Sequence, residues 1–401
     1  MPRSQVELGE VFRRSGPAYR TAHAGQLSRS QRRGMGAIER GRTAALGGQV
    51  EQCESCQYQR IAYNSCRNRH GAKCQALASA RWLAARQTEL LPVPYFHLVF
   101  TLPAEIAAIA YQNKAVGSAL LFRAVRETLQ TLAADPKHRG AELGFLAVLQ
   151  TWGQPLLYHP HLHCIVPGGG LAPDGQRWIA GRPGFLLPVR VLSRFFRGRF
   201  LALLQEAFDQ RRLQFFSALA SLEDASHFPA YLTPLRAAEW VVYVKPPFGG
   251  SQHVLDYLGR YTPRVAIANH RLVAIEEGTV SFHWRDYRHH HKRKVMTLSA
   301  DEFLRRFLLH VLPAGFHRIR YYGFLGNRCR VTKLAQCRRL WAQSTPTPMH
   351  AARKGDYRVH YAQLTGRSLR VCPVCTQGHL VRIALLATMS LGQSLLGLDT
   401  S

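Results

Sequence analysis

Apolar and polar positions alternate along three stretches of the chain. In LPVPYFHLVFTLP (91–103), Phe96, Leu98, Phe100 and Leu102 fall on one side and prolines bound the run, so a strand is predicted. HLHCIVPGGG (161–170) is a second strand running into glycines, and the Asp174-Gly175 step predicts a hairpin back to Trp178. EWVVYVKPPFGG (239–250) is the third. Elsewhere the spacing is helical. Residues 76–90 put Ala80, Trp82, Leu83 and Ala84 on an apolar side, and 105–133, 139–151 and the basic stretch 191–216 read as helices. A shorter helix is expected from Gln252 to Tyr261. Ser299 and Glu302 form a capping box ahead of the apolar face Phe303, Leu304, Phe307, Leu308 and Val311. Residues before 52 suit small basic helices, while 341–371 are polar and basic with no firm period. The sum is an α+β protein with an antiparallel sheet at its centre. Its expected parts are an N-terminal module (1–90), a central domain (91–325) and a basic C-terminal region (326–401).

Charge changes the picture more than size does. Of 401 residues, 46% are hydrophobic, enough for a sizeable core, but 53 Lys and Arg face 24 Asp and Glu, a net charge of +29. Such an excess calls for a polyanionic partner, and nucleic acid is the first candidate. The longest uncharged stretch, Ile383 to Leu398, is broken by Thr, Ser, Gly and Gln, well short of a spanning helix of roughly 20 apolar residues. No membrane partner is expected. The first residues lack an apolar signal segment, so a cytoplasmic location is expected. Nine cysteines, six of them in two clusters, suit metal rather than disulfides in such a compartment.

Three constellations carry chemistry. Within Tyr158-His159-Pro160-His161-Leu162-His163-Cys164, a strand aims His161 and His163 one way and Leu162 and Cys164 into the core. Two imidazoles so placed can converge on one divalent cation, with Gln154 or His159 as a third ligand. Tyr257 and Tyr261, four apart, share one helix face, and Lys245, Arg260 and Arg264 supply nearby positive charge. Cys53, Cys56, Cys66, His70 and Cys74 offer five ligands within 22 residues for a tetrahedral Zn²⁺, interleaved with Arg60, Arg67, Arg69 and Lys73 for phosphate contact. Cys372-Pro-Val-Cys375 is half of another knuckle, with Cys329 and Cys337 as conceivable partners, and a second zinc is not expected there.

CRNRHGAKCQ, ARWLAARQTELLPVPYFHLVFTLP, TWGQPLLYHPHLHCIVPGGGL, EWVVYVKPPFGG and YLGRYTPRVAIANHRL resemble the transposases of the insertion sequence 91 family, within the HUH superfamily of single-strand nucleases, from about residue 5 to about 340. The resemblance implies a bacterial, nucleoid-associated rolling-circle transposase with an N-terminal zinc-binding domain that helps recognise the element's ends. His161 and His163 would hold Mg²⁺ or Mn²⁺. Tyr257 and Tyr261 would be the nucleophiles, one forming a 5′-phosphotyrosine on single-stranded DNA and freeing a 3′-OH that host replication machinery can extend. Two departures stand out. Where the family reads His-Cys-Pro-Lys-Cys, this chain has His70-Gly71-Ala72-Lys73-Cys74, and Pro263 stands where the family often has His. A zinc-containing DNA-binding protein without cleavage, or an inactive transposase copy, therefore stays open as the second reading.

Overall fold

The structure is a computed structural model that describes residues 6–388 except 72–73, 246–252, 255–256, 260–265, 287–288, 290–291, 345–355 and 367. Two helices open it, α1 (Leu8–Ala22) and α2 (Arg29–Arg40), followed by strands β1 (Gly48–Cys53) and β2 (Gln59–Tyr63) and helix α3 (Ala76–Gln87). The middle of the chain runs β3 (Tyr95–Thr101), α4 (Ala104–Gln112), α5 (Lys114–Ala134), β4 (Phe145–Trp152), β5 (Tyr158–Pro167), β6 (Gly169–Leu171), β7 (Trp178–Ala180), α6 (Val189–Asp209), α7 (His227–Ala237) and β8 (Val242–Lys245). Then come β9 (Leu272–Glu276), β10 (Thr279–Asp286), β11 (Lys292–Ser299), α8 (Ala300–Leu309), β12 (Ile319–Tyr322), α9 (Arg330–Ser344), α10 (Tyr357–Thr365) and β13 (Leu380–Leu386).

The two strands with the clearest period pair in the middle of an antiparallel sheet ordered β12-β4-β5-β3-β8. Period two sorts their side chains. Phe96, Leu98 and Phe100 of β3 and Leu162, Cys164 and Val166 of β5 enter a core covered by α4 to α7. The opposite face carries Tyr95, Val148 and Ile165, which pack with Leu83 of α3, Val254, Leu258 and Leu334 of α9. That second face also carries the histidines. A separate core joins α1 to α8 and the β9–β11 sheet, where the Phe12 and Phe307 rings meet edge to face at 5.2 Å. Ser299 caps α8 as its spacing predicts, accepting from the Glu302 backbone N–H at 3.2 Å.

One expectation fails. Residues 139–151 are not a helix: β4 occupies Phe145–Trp152 and is buried along nearly its whole length. A strand covered on both faces is apolar throughout, so alternation cannot distinguish it from a buried helix. Residues of the C-terminal region form part of the described fold. β13 pairs antiparallel with β1, and α10 lies against α3, where His360 Nε2 meets Gln87 Oε1 at 3.1 Å. Among the described residues no helix is long and apolar enough to cross a membrane.

Candidate active site and metal centre

His163 sits at the middle of β5 with a neighbour on each flanking strand. In the register, Val99 of β3 and Val148 of β4 lie opposite it, so His97 and Gln150 are its diagonal neighbours on the same face. Both reach it. His97 Nε2 lies 2.8 Å from His163 Nδ1, and Gln150 Oε1 lies 3.1 Å from His163 Nε2. The Tyr257 hydroxyl closes the group, 2.6 Å from His97 Nε2 and 2.7 Å from His163 Nδ1. With the Gln150 oxygen accepting at Nε2, His163 carries its proton there and turns the lone pair of Nδ1 towards the phenol.

Burial keeps these imidazoles neutral. It lowers His97 to about 3 and His161 to about 4, and pushes His163 well below the ordinary histidine value. Lys245 adds to the effect on His97 and His163. Neutral rings are the form that ligates metal or accepts a proton. His161 binds the His159 carbonyl through Nδ1 at 2.6 Å, which leaves Nε2 as its ligating atom, and its ring centroid is 4.9 Å from that of His163. His161 and His163 are thus the pair of imidazoles on this face that could ligate a divalent cation.

The two candidates for a third ligand fare differently. Gln154 is turned away: its backbone carbonyl accepts from Arg271 Nη2 at 2.6 Å and its side-chain oxygen from the Arg285 N–H at 3.3 Å. The His159 ring lies 5.2 Å from that of His161, tilted by 47°, but is exposed. His97 and Gln150 were not anticipated. The signal was present for His97, because an alternation that buries Phe96 and Leu98 must send His97 to the other face. Tyr261, Arg260, Arg264 and Lys73 lie outside the described residues. Lys245 and Arg67 are exposed, whereas Arg69 donates to the Phe316 carbonyl at 2.5 Å.

The cysteines divide into two groups. Cys53, Cys56, Cys372 and Cys375 bring four sulfurs within 4.8 Å of one another, the preassembled ligand set among the described residues. The Cys53–Cys375 and Cys56–Cys372 sulfur pairs are each 3.6 Å apart. A tetrahedral zinc with bonds of about 2.3 Å has edges of about 3.8 Å, so the set fits Zn²⁺. Backbone N–H groups of Cys56, Val374 and Gly378 point at three of the sulfurs from 3.3 to 3.5 Å, and the Gly378 N–H is the main cause that lowers Cys375 to about 6. Thus Cys372 and Cys375, read from sequence as an unlikely half-site, complete the first knuckle. Their conceivable partners are elsewhere, Cys337 in the core and Cys329 against the Gly323 carbonyl. Cys66 and Cys74 form a pair of their own: the Cys66 N–H donates to the Cys74 sulfur at 3.4 Å. A Cβ at Gly71 would stand 3.0 Å from the Cys66 sulfur, so residue 71 adjoins the position of a third ligand. His70 instead turns Nδ1 to Asn68 Oδ1 at 2.9 Å. The five-ligand site read from the linear spacing is therefore corrected.

Comparison with known proteins matches both halves. A family model described as "Putative transposase" covers residues 144–333, and one described as "Transposase zinc-binding domain" covers residues 11–102. The chain is 63% identical over 385 residues, 96% of each sequence, to "Putative transposase y4qJ" of Sinorhizobium fredii (strain NBRC 101917 / NGR234). It is 28% identical over 322 residues to "Transposase for insertion sequence element IS801" of Pseudomonas savastanoi pv. phaseolicola, covering 76% of this chain and 73% of that one. No solved structure matches.

Proposed function

Because this chain belongs to the insertion sequence 91 family of transposases, we propose that it nicks single-stranded DNA with Tyr257 and transfers the strand by a rolling-circle route. One observation carries the reading: the Tyr257 hydroxyl meets two buried imidazoles, on β3 and β5, at 2.6 and 2.7 Å. A phenol at its ordinary pKa of about 10 is a weak nucleophile and needs such partners. His97 Nε2, 2.6 Å from the hydroxyl, accepts the phenolic proton as Tyr257 Oη bonds to phosphorus. The P–O3′ bond breaks, and that proton passes to the departing oxygen, leaving a 5′-phosphotyrosine and a free 3′-OH. His161 and His163 would hold Mg²⁺ or Mn²⁺, which when bound would supply Lewis-acid polarisation of the phosphate. Gln150 holds the His163 tautomer, and Lys245 adds positive charge at the edge of the sheet. Arg67, Lys73, Arg260 and Arg264 are proposed phosphate contacts, and Tyr261 the nucleophile of the second cleavage.

The phosphotyrosine link conserves the phosphodiester bond energy, so the reverse attack by a 3′-OH needs no nucleotide cofactor. The test mixes purified protein with labelled single-stranded DNA from the element's terminus and Mg²⁺ or Mn²⁺, then looks for a covalent adduct on a denaturing gel. The adduct is expected to disappear in Tyr257→Phe/Tyr261→Phe and in His161→Ala. Tight binding without an adduct under either metal would instead establish the non-cleaving DNA binder.

A further inference from the structure

Beside the histidine strand lies a groove of about 510 Å³, walled by α4, the start of β5, the residues preceding β8 and the outer side of α8. Its floor is apolar and aromatic. Tyr111 of α4 and Tyr158 of β5 meet edge to face at 5.3 Å, and the buried Trp240 closes one end. Polar groups stand at the rim: Glu239, Arg305 and His159. Arg305 is held in place by a double hydrogen bond to Glu302 at 2.6 and 2.9 Å. Ala104, Ala107 and Ala108 of α4 line this space with small side chains, which leaves it open beside Tyr111.

We propose that this groove receives an unpaired nucleobase of the strand bound at the histidine cluster. The proposal rests on the single-strand cleavage reading. Continuity is the main argument. His159 lines the groove, His161 follows it at 5.2 Å and His163 follows His161 at 4.9 Å, so groove and cluster adjoin along one strand. Histidines on one face of β5 thus lead from the groove to the cluster. The chemistry also fits. A base has two apolar faces, which an aromatic floor accepts regardless of sequence. Its edge carries donors and acceptors, which a carboxylate and a guanidinium at the rim can meet. A net charge of +29 favours an anionic strand over an apolar peptide.

The test uses the full-length protein and single-stranded oligonucleotides from the element's terminus, each with 2-aminopurine at one position. One position close to the cleaved phosphate is expected to change fluorescence on binding. Ala108→Trp, which fills the groove from an exposed helix position, should abolish that change and weaken binding about 5- to 100-fold, the loss of roughly one stacked base. Ala104→Trp should act alike, and an unchanged thermal midpoint in either variant excludes misfolding. Tyr257→Phe should keep the fluorescence change while losing the adduct. If Ala108→Trp and Ala104→Trp fold, bind with wild-type affinity and retain the signal, the groove does not hold a base, and the cleavage reading stands. If the wild-type protein does not bind single strands at all, both readings fall.

Discussion

Replacing Cys372 and Cys375 together by serine tests the metal centre most directly, because the structure and the linear spacing disagree about it. In the structure these two thiols supply half the ligands of a site whose other half, Cys53 and Cys56, lies more than 300 residues earlier. Structural zinc in small peptide sites contributes about 10–16 kcal/mol at neutral pH. If two of four thiolates carry about half of that, the double variant loses roughly 5–8 kcal/mol of metal binding, a factor of about 10⁴–10⁶. Zinc should then pass to a colorimetric chelator that the wild-type protein resists. The Cys66→Ser/Cys74→Ser variant keeps all four tetrathiolate ligands and should hold its zinc. A second readout follows from the β1–β13 pairing, which runs from Gly48 opposite Leu386 to Cys53 opposite Leu380. Without metal that strand loses its anchor, so proteolysis should remove the C-terminal segment first. The reasoning is refuted if Cys66→Ser/Cys74→Ser loses the zinc while Cys372→Ser/Cys375→Ser retains it.

The remaining predictions concern the histidine face, the knuckle and the pH profile. His97→Ala should lower the rate of adduct formation by about 10²–10³-fold with little effect on DNA affinity, measured by single-turnover cleavage beside a binding titration. Gly378→Ala should release zinc to a chelator far faster than wild type, since a Cβ there would lie 2.4 Å from the Cys53 sulfur. His310 is fully buried, binds Thr151 Oγ1 at 3.2 Å and the Leu156 carbonyl at 3.0 Å, and is lowered to about 3 by burial. The unfolded chain therefore takes up the proton first, near pH 6.5, so this histidine leaves stability unchanged above that pH and costs about 2 kcal/mol by pH 5. Thermal unfolding from pH 7 to pH 5 should show a smaller fall in His310→Gln than in wild type. An equal fall in both would show that His310 is not a source of the acid sensitivity.

Local pattern was enough to define the sheet's centre. Alternation in β3 and β5 sorted Phe96, Leu98, Leu162 and Cys164 to one face, and the same arithmetic put His161 and His163 together on the other. The excess of Lys and Arg named the class of partner. β4 was misread because a strand buried on both faces has no alternation to display. What tertiary structure decided was pairing across distance. Register sets His97 and Gln150 diagonal to His163, and no local period encodes which strands become neighbours. The zinc site shows the same division at larger scale. Each Cys-x-x-Cys is a knuckle by its own spacing, but two thiols satisfy only half of a tetrahedral ion. Their partners came from the turn just before the strand that returns to pair with β1, not from the cysteines next in sequence.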